Sequence, residues 1–148
     1  MTPDTATRVS RIGLVLLAVT AIPIGAWAVI APRSYYDDFP GFGSQWISPD
    51  GPYNEHLMRD FGALNLALAA FTVCAAIWLL RPMVIAASVA WIVYPLSHLT
   101  YHVLNLDRYD TVDQIGILAG LAIAPIVACG LLVLCRSLPS RGLTMEQG

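Results

Sequence analysis

Long apolar runs alternate with short polar breaks along this chain, and the lengths of the runs define the fold class before any single residue is considered. Ile12 to Ile30, Leu57 to Leu80, Met83 to Leu104 and Ile115 to Leu134 are the four runs. Each approaches or exceeds the ~20 residues that carry a helix across ~30 Å of hydrocarbon. The pattern predicts an all-α fold, an integral membrane four-helix bundle that forms a single domain over residues 1–148, with helices over 12–30, 57–80, 83–104 and 113–134. Residues 1–10 and 137–148 read as polar tails, and residues 31–55 as an aromatic-rich extracytoplasmic loop between the first two helices. A cleaved signal sequence is the other reading of the first run, because Arg8 and Arg11 precede it. The run is long for such a signal and AVIAPRS is a poor cleavage site, so it is read as a helix.

The breaks between the runs add detail. Prolines and glycines in APRSYYDDFPGFGSQWISPDGPYNE forbid a continuous helix there. Its Tyr35, Tyr36, Phe39, Phe42, Trp46 and Tyr53 suit a headgroup boundary, which predicts an ordered cap over the outer face. Arg81 and Pro82 alone join the second and third spans, so these two form an antiparallel hairpin. Asn54 is placed to cap the second span, and Thr111 with Gln114 fits a capping box for the fourth. Pro23, Pro95 and Pro125 interrupt three of the spans, and Pro95 is expected to bend the third one turn before His98. Gly116, Gly120, Ala122, Ala124 and Ala128 on the fourth span, and Ala63, Ala67 and Ala70 on the second, form small-residue faces. In lipid such faces let backbones approach closely, within one chain, in a homo-oligomer or in a larger membrane complex.

Composition agrees with a membrane domain: 57% of residues are hydrophobic and 12% charged, with a mean hydropathy of +0.65. A net charge of −2 without a basic cluster excludes a nucleic-acid partner and leaves membrane lipids as the expected surroundings. All eight basic residues are arginine. Arg8, Arg11, Arg81, Arg136 and Arg141 flank one set of helix ends, whereas Arg33, Arg59 and Arg108 share the other side with eight of the ten acidic residues. This bias puts both termini in the cytoplasm and the protein in the inner or plasma membrane. Cys74, Cys129 and Cys135 lack CxxC spacing and are read as small apolar packers.

The candidate chemistry lies at the outer helix ends. His98 and His102 in SHLTYH are one turn apart on the third span, as are His56 and Asp60 on the second. With the hairpin reversing at Arg81 and Pro82, equal rise along both helices places Asp60 level with His102, Asn65 with His98, and His56 with Asp107. Asp113 and Gln114 are expected near His102 across the next turn. Three readings follow. His56, Asp60, His98 and His102 together offer the nitrogen and oxygen ligands of a transition metal, zinc or copper. Asn65, Asp113, Gln114 and Tyr101 are then alternative ligands or partners that orient the histidines, and lipid-like molecules entering sideways are the substrates such a metal would meet. Alternatively the same groups form an ion-paired cluster in a non-enzymatic accessory or structural subunit, helped by the helix dipoles. Haem b between a histidine of the second span and one of the third is the remaining reading. Tyr94, His98, Tyr101 and Asn105 form a polar-aromatic stripe on the third span that is expected to face the bundle. Arg59 is expected to pair with Glu55.

At RSYYDDFPG, YNEHLMRDFGALNLALA and SHLTYH, most of the chain resembles a group of small, uncharacterised four-helix membrane proteins from actinobacteria. In size and helix count it is similar to DoxX-like membrane proteins. These resemblances imply the fold and no particular reaction. Ser97, His98, His102 and Asp60 also resemble the zinc-binding residues of ceramidase and PAQR-type membrane hydrolases. Those proteins have about seven helices and an S-x-x-x-H motif, whereas Ser97 here directly precedes His98, so hydrolysis is implied only by analogy.

Overall fold

The computed structural model describes residues 2–138 of the chain. Four of its helices are long and apolar enough to cross a membrane: α1 (Pro3–Ile30), α3 (Glu55–Trp78), α4 (Arg81–Val103) and α5 (Thr111–Leu134). The fold is an all-α membrane bundle. Between α1 and α3 lies a short helix, α2 (Pro32–Asp38), followed by a hairpin of β1 (Pro40–Gly41) and β2 (Ser44–Gln45) and a 3-10 turn over Ser48–Asp50. Pro40 pairs with Gln45 and Gly41 with Ser44. The hairpin tip turns through positive φ at Gly41, Phe42 and Gly43, a conformation that glycine adopts without cost and that Phe42 shares at 60°. The outer loop is thus an ordered lid that includes a helix its prolines and glycines did not foreshadow.

Helix α1 packs along α3 and α4 along α5. The first pair meets where two glycines face each other: a Cβ on Gly62 would lie 2.7 Å from the Gly25 carbonyl oxygen, and one on Gly25 2.8 Å from that of Gly62. Backbones so close require residues without side chains. Toward the other end, Leu14, Leu17, Ala75, Val84, Trp91 and Leu131 belong to one buried cluster. There Arg11 Nε donates to the Ala76 carbonyl at 3.1 Å, satisfying an acceptor in the last turn of α3.

Several boundaries differ from expectation. Residues 3–10 are helical rather than a polar tail, because Thr2 Oγ1 caps the helix by accepting from Thr5 N at 3.3 Å. Arg136 and Ser137 lie in a closing 3-10 turn, Cys135–Ser137, while Arg141 and the rest of 139–148 lie outside the described residues. The α3–α4 reversal falls at Leu79 and Leu80, with Leu79 left-handed at φ 48° and ψ 34°. Arg81 and Pro82 already begin α4, since a proline in the first turn forfeits no helical hydrogen bond. Asp110, not Thr111, caps α5, its carboxylate accepting from Asp113 N at 2.9 Å. Pro23, Pro95 and Pro125 sit inside continuous helices. Asn54 caps α3 by accepting from Leu57 N at 3.1 Å, and the three cysteines are free thiols.

Candidate functional site: an apolar cavity with a histidine pair

Beneath the lid lies a cavity of about 520 Å³. Its roof is Tyr35, Phe39, Trp46 and Ile47, and its walls come from α1, α3, α4 and α5. Along α5 it runs from Ile117 to Val127, roughly 15 Å at the helical rise, which is the depth of one leaflet. Leu16 and Val19 of α1 and Ile123 of α5 border it while remaining 56%, 58% and 59% exposed. The mouth therefore opens sideways between α1 and α5, toward hydrocarbon. Among the described residues no Asp, Glu, Lys or Arg lines it.

Most of its polar groups gather at the lidded end. His98 and His102 approach through their Nε2 atoms at 3.0 Å, as one-turn spacing on α4 allows. A hydrogen bond between two imidazole nitrogens needs a proton on one and a bare lone pair on the other, so at least one ring is neutral. His102 is buried, and its Nδ1 is sealed without a hydrogen-bond partner among the described residues. Asn65 Nδ2 donates to the Phe61 carbonyl at 2.9 Å and makes a long contact of 3.5 Å to the Tyr94 hydroxyl. Tyr94 stacks obliquely on His98 with ring centroids 5.9 Å apart. Tyr35 is wedged against Phe39 and Phe61, and its hydroxyl makes no hydrogen bond among the described residues. Burial, reinforced by the nearby Tyr94 phenol, pushes the Tyr35 phenol well above its usual pKa and keeps it an O–H donor. At the floor, Trp91 Nε1 donates to Thr72 Oγ1 at 2.9 Å, which in turn donates to the Leu68 carbonyl at 2.7 Å.

The residues expected to join the pair lie elsewhere. His56 and Asp60 contact each other at 3.3 Å on a surface where their side chains are 85% and 59% exposed. Because α3 and α4 reverse two residues earlier than Arg81 and Pro82, Asn65 meets Tyr94 rather than His98. For the same reason Phe61, not Asp60, lies against His98, with ring centroids 6.5 Å apart. Asp113 holds the lid, accepting from Ser44 Oγ at 2.7 Å and from Trp46 Nε1 at 2.8 Å. Gln114 donates to the carbonyls of Leu106 and Tyr109. Tyr101 faces outward, its hydroxyl accepting from Arg108, which also pairs with Asp50 at 3.2 Å. The polar stripe is thus divided, with Tyr94 and His98 in the cavity and Tyr101 and Asn105 outside it. Arg59 does pair with Glu55, at 2.8 Å.

Among the described residues no group of three or more His, Cys, Asp or Glu side chains is placed to hold a metal ion. The four-ligand set of His56, Asp60, His98 and His102 is not assembled, and neither Asp60 nor Asp113 reaches the histidine pair to form the ion-paired cluster. Haem b held between α3 and α4 takes one imidazole from each, and the α3 imidazole, His56, is at the surface, away from the α4 pair.

Phe61 and Trp91 are the site residues that sequence reasoning missed, whereas Tyr35, Phe39 and Trp46 are expected in the cap. A signal for Phe61 existed, in the preference for proline at the start of α4, which sets the register.

An intramembrane bundle of four helices, closed by an aromatic lid over an apolar chamber, is the class of protein these features define. The chain belongs to the DUF4345 family, a domain of unknown function whose model matches residues 9–105. That span takes in the lid and both cavity histidines and stops before α5. No curated protein and no solved structure matches the chain.

Proposed function

We propose that this protein binds an uncharged, lipid-like molecule, taken sideways from the bilayer between α1 and α5, with its polar end beside His98. The observation that carries this reading is the cavity itself: about 520 Å³, free of charged side chains among the described residues, with the histidine pair, Tyr94 and Asn65 at its lidded end and the hydrogen-bonding groups of Thr20 and Trp91 already engaged within the protein. A volume of that order suits a small-molecule site. Desolvating a phosphate, carboxylate or ammonium there without a counter-charge costs too much for a charged ligand. We place the protein in the plasma membrane with both termini cytoplasmic and the lid outside, on the arginine distribution.

The test is extraction of the protein purified in mild detergent, with mass spectrometry of what accompanies it. A neutral lipid at near-stoichiometric amount is expected. Gly120 lines the chamber, and nothing lies within 4 Å of a Cβ built on it, so Gly120→Phe starts from open space and is chosen to occupy the chamber. It is expected to lower the bound lipid at least tenfold while leaving the thermal unfolding midpoint little changed. An unaltered lipid profile in this variant overturns the reading.

A second reading rests on the convergence of the two Nε2 atoms at 3.0 Å. A transition metal, zinc or copper, bound by His98 and His102 would take two imidazoles from the protein and its remaining ligands from the bound molecule. It predicts metal at one equivalent in elemental analysis, lost in His98→Ala and His102→Ala and retained in His56→Ala and Asp60→Ala.

A further inference from the structure

The polar end of the chamber is rich in donors. Nδ1 of His102 is sealed from solvent and has no partner among the described residues. Orphaned buried N–H groups are rare in proteins, so this nitrogen is assigned as the bare one, an assignment that the histidine ¹⁵N shifts test. His102 then carries its proton on Nε2 and donates it to Nε2 of His98 across the 3.0 Å contact. His98 must in turn hold its own proton on Nδ1. That atom makes no hydrogen bond and is not sealed, and its ring lines the chamber.

A second donor stands beside it. The Tyr94 oxygen is approached by Asn65 Nδ2. The amide orientation of Asn65 is fixed, because the Phe61 carbonyl accepts from the same nitrogen at 2.9 Å. The phenol is therefore contacted as an acceptor, and its O–H proton is left for the chamber. Tyr94 and His98 are one helical turn apart, their rings adjacent, and the Tyr35 hydroxyl is a third donor, without a partner among the described residues. Among the described residues the acceptors without a partner at this end are His102 Nδ1, which is sealed, and Asn65 Oδ1, so the groups open to the chamber are mostly donors and call for an uncharged acceptor.

We propose that the ligand carries a carbonyl, as an ester or ketone, at its polar end, and that the carbonyl oxygen accepts from His98 Nδ1–H and Tyr94 O–H. This rests on the reading of the chamber as a lipid-like binding site and specifies the chemistry of what fills it. A carbonyl oxygen has two lone pairs in one plane and accepts both bonds. The histidine pair is then a positioning device, in which His102 fixes the tautomer of His98.

The experiment uses the full chain in nanodiscs and three probes of equal length: a long-chain methyl ketone, the corresponding secondary alcohol and the parent hydrocarbon. Binding is read by native mass spectrometry and by the fluorescence of Trp46 and Trp91, which line the chamber. The ketone is expected to bind at least tenfold more tightly than the hydrocarbon and more tightly than the alcohol. Tyr94→Phe is expected to reduce ketone binding about fivefold without altering that of the hydrocarbon. Histidine ¹⁵N shifts are expected to show His98 protonated at Nδ1 and His102 at Nε2. If ketone and hydrocarbon bind alike, or the alcohol binds best, the carbonyl assignment is overturned and the lipid-binding reading stands. If no probe binds and no lipid accompanies the purified protein, the lipid-binding reading itself fails. The three-probe comparison in the unaltered protein decides the matter even if the substituted chain does not fold.

Discussion

Gly62 and Gly120 are both helical glycines, but their surroundings give opposite expectations for the same substitution. A methyl group on Gly62 would meet the Gly25 backbone oxygen at 2.7 Å, and the Val29 and Ala28 side chains nearly as closely. A backbone atom cannot swing aside, so α1 and α3 must separate. Gly62→Ala is expected to cost about 1–3 kcal/mol, outweighing the gain of about 1 kcal/mol in helix propensity, and to lower the thermal unfolding midpoint in detergent. Gly120→Ala meets nothing within 4 Å and is expected to hold or raise that midpoint by the same measurement. One-turn spacing in the sequence showed that His98 and His102 share a face and that His56 and Asp60 share another, and both pairs form. Spacing along one helix constrains contacts on that helix alone. Which residue of a neighbouring helix completes a group depends on axial register and on rotation about the axis, and no intrahelical pattern encodes either.

Register is an affair of elements, and here a turn of two residues decides it. Reversal at Leu79 and Leu80 aligns Asn65 with Tyr94 and Phe61 with His98, so an aromatic ring covers the imidazole where a carboxylate was expected. The lid depends on element contacts as well. Asp113, one turn into α5, accepts from Ser44 and Trp46 of the hairpin, while the Trp46 ring rests on Gly116, where a Cβ would come within 2.8 Å of it. Tyr109 adds a bond to the Trp46 carbonyl at 3.0 Å. Asp113→Ala leaves the Ser44 hydroxyl and the Trp46 indole without their acceptor, a loss of about 1–3 kcal/mol. The measurable outcome is faster hydrogen exchange at backbone amides 41–47, by about tenfold or more. Asp113→Asn keeps an acceptor oxygen and is expected to exchange close to the parent rate. Unchanged exchange in the alanine variant would show that Asp113 does not latch the lid.

For the molecule as a whole, the sequence disclosed the architecture through run length, since crossing hydrocarbon demands a fixed number of apolar residues. The chamber left no comparable trace: Leu17, Ala21 and Ile117 border it, yet they read as ordinary apolar helix positions. Empty volume between helices reflects how side chains from distant segments fail to fill a space, which one-dimensional periodicity does not record. Orientation is a further property of the entire chain. On the proposed orientation, Phe42→Cys at the fully exposed hairpin tip, in a chain with Cys74, Cys129 and Cys135 changed to alanine, is expected to react with a membrane-impermeant maleimide on intact cells. Labelling only after the cells are opened reverses the assignment.

The sideways mouth between α1 and α5 also governs what kind of selectivity is physically available. A guest arriving from the leaflet is already dissolved in oil, and moving its tail from one oil-like medium into another gains almost nothing from expelled water. Lengthening that tail should therefore scarcely tighten its hold once concentrations are counted per lipid rather than per litre. Discrimination among guests is left to the few polar atoms under the lid and to girth.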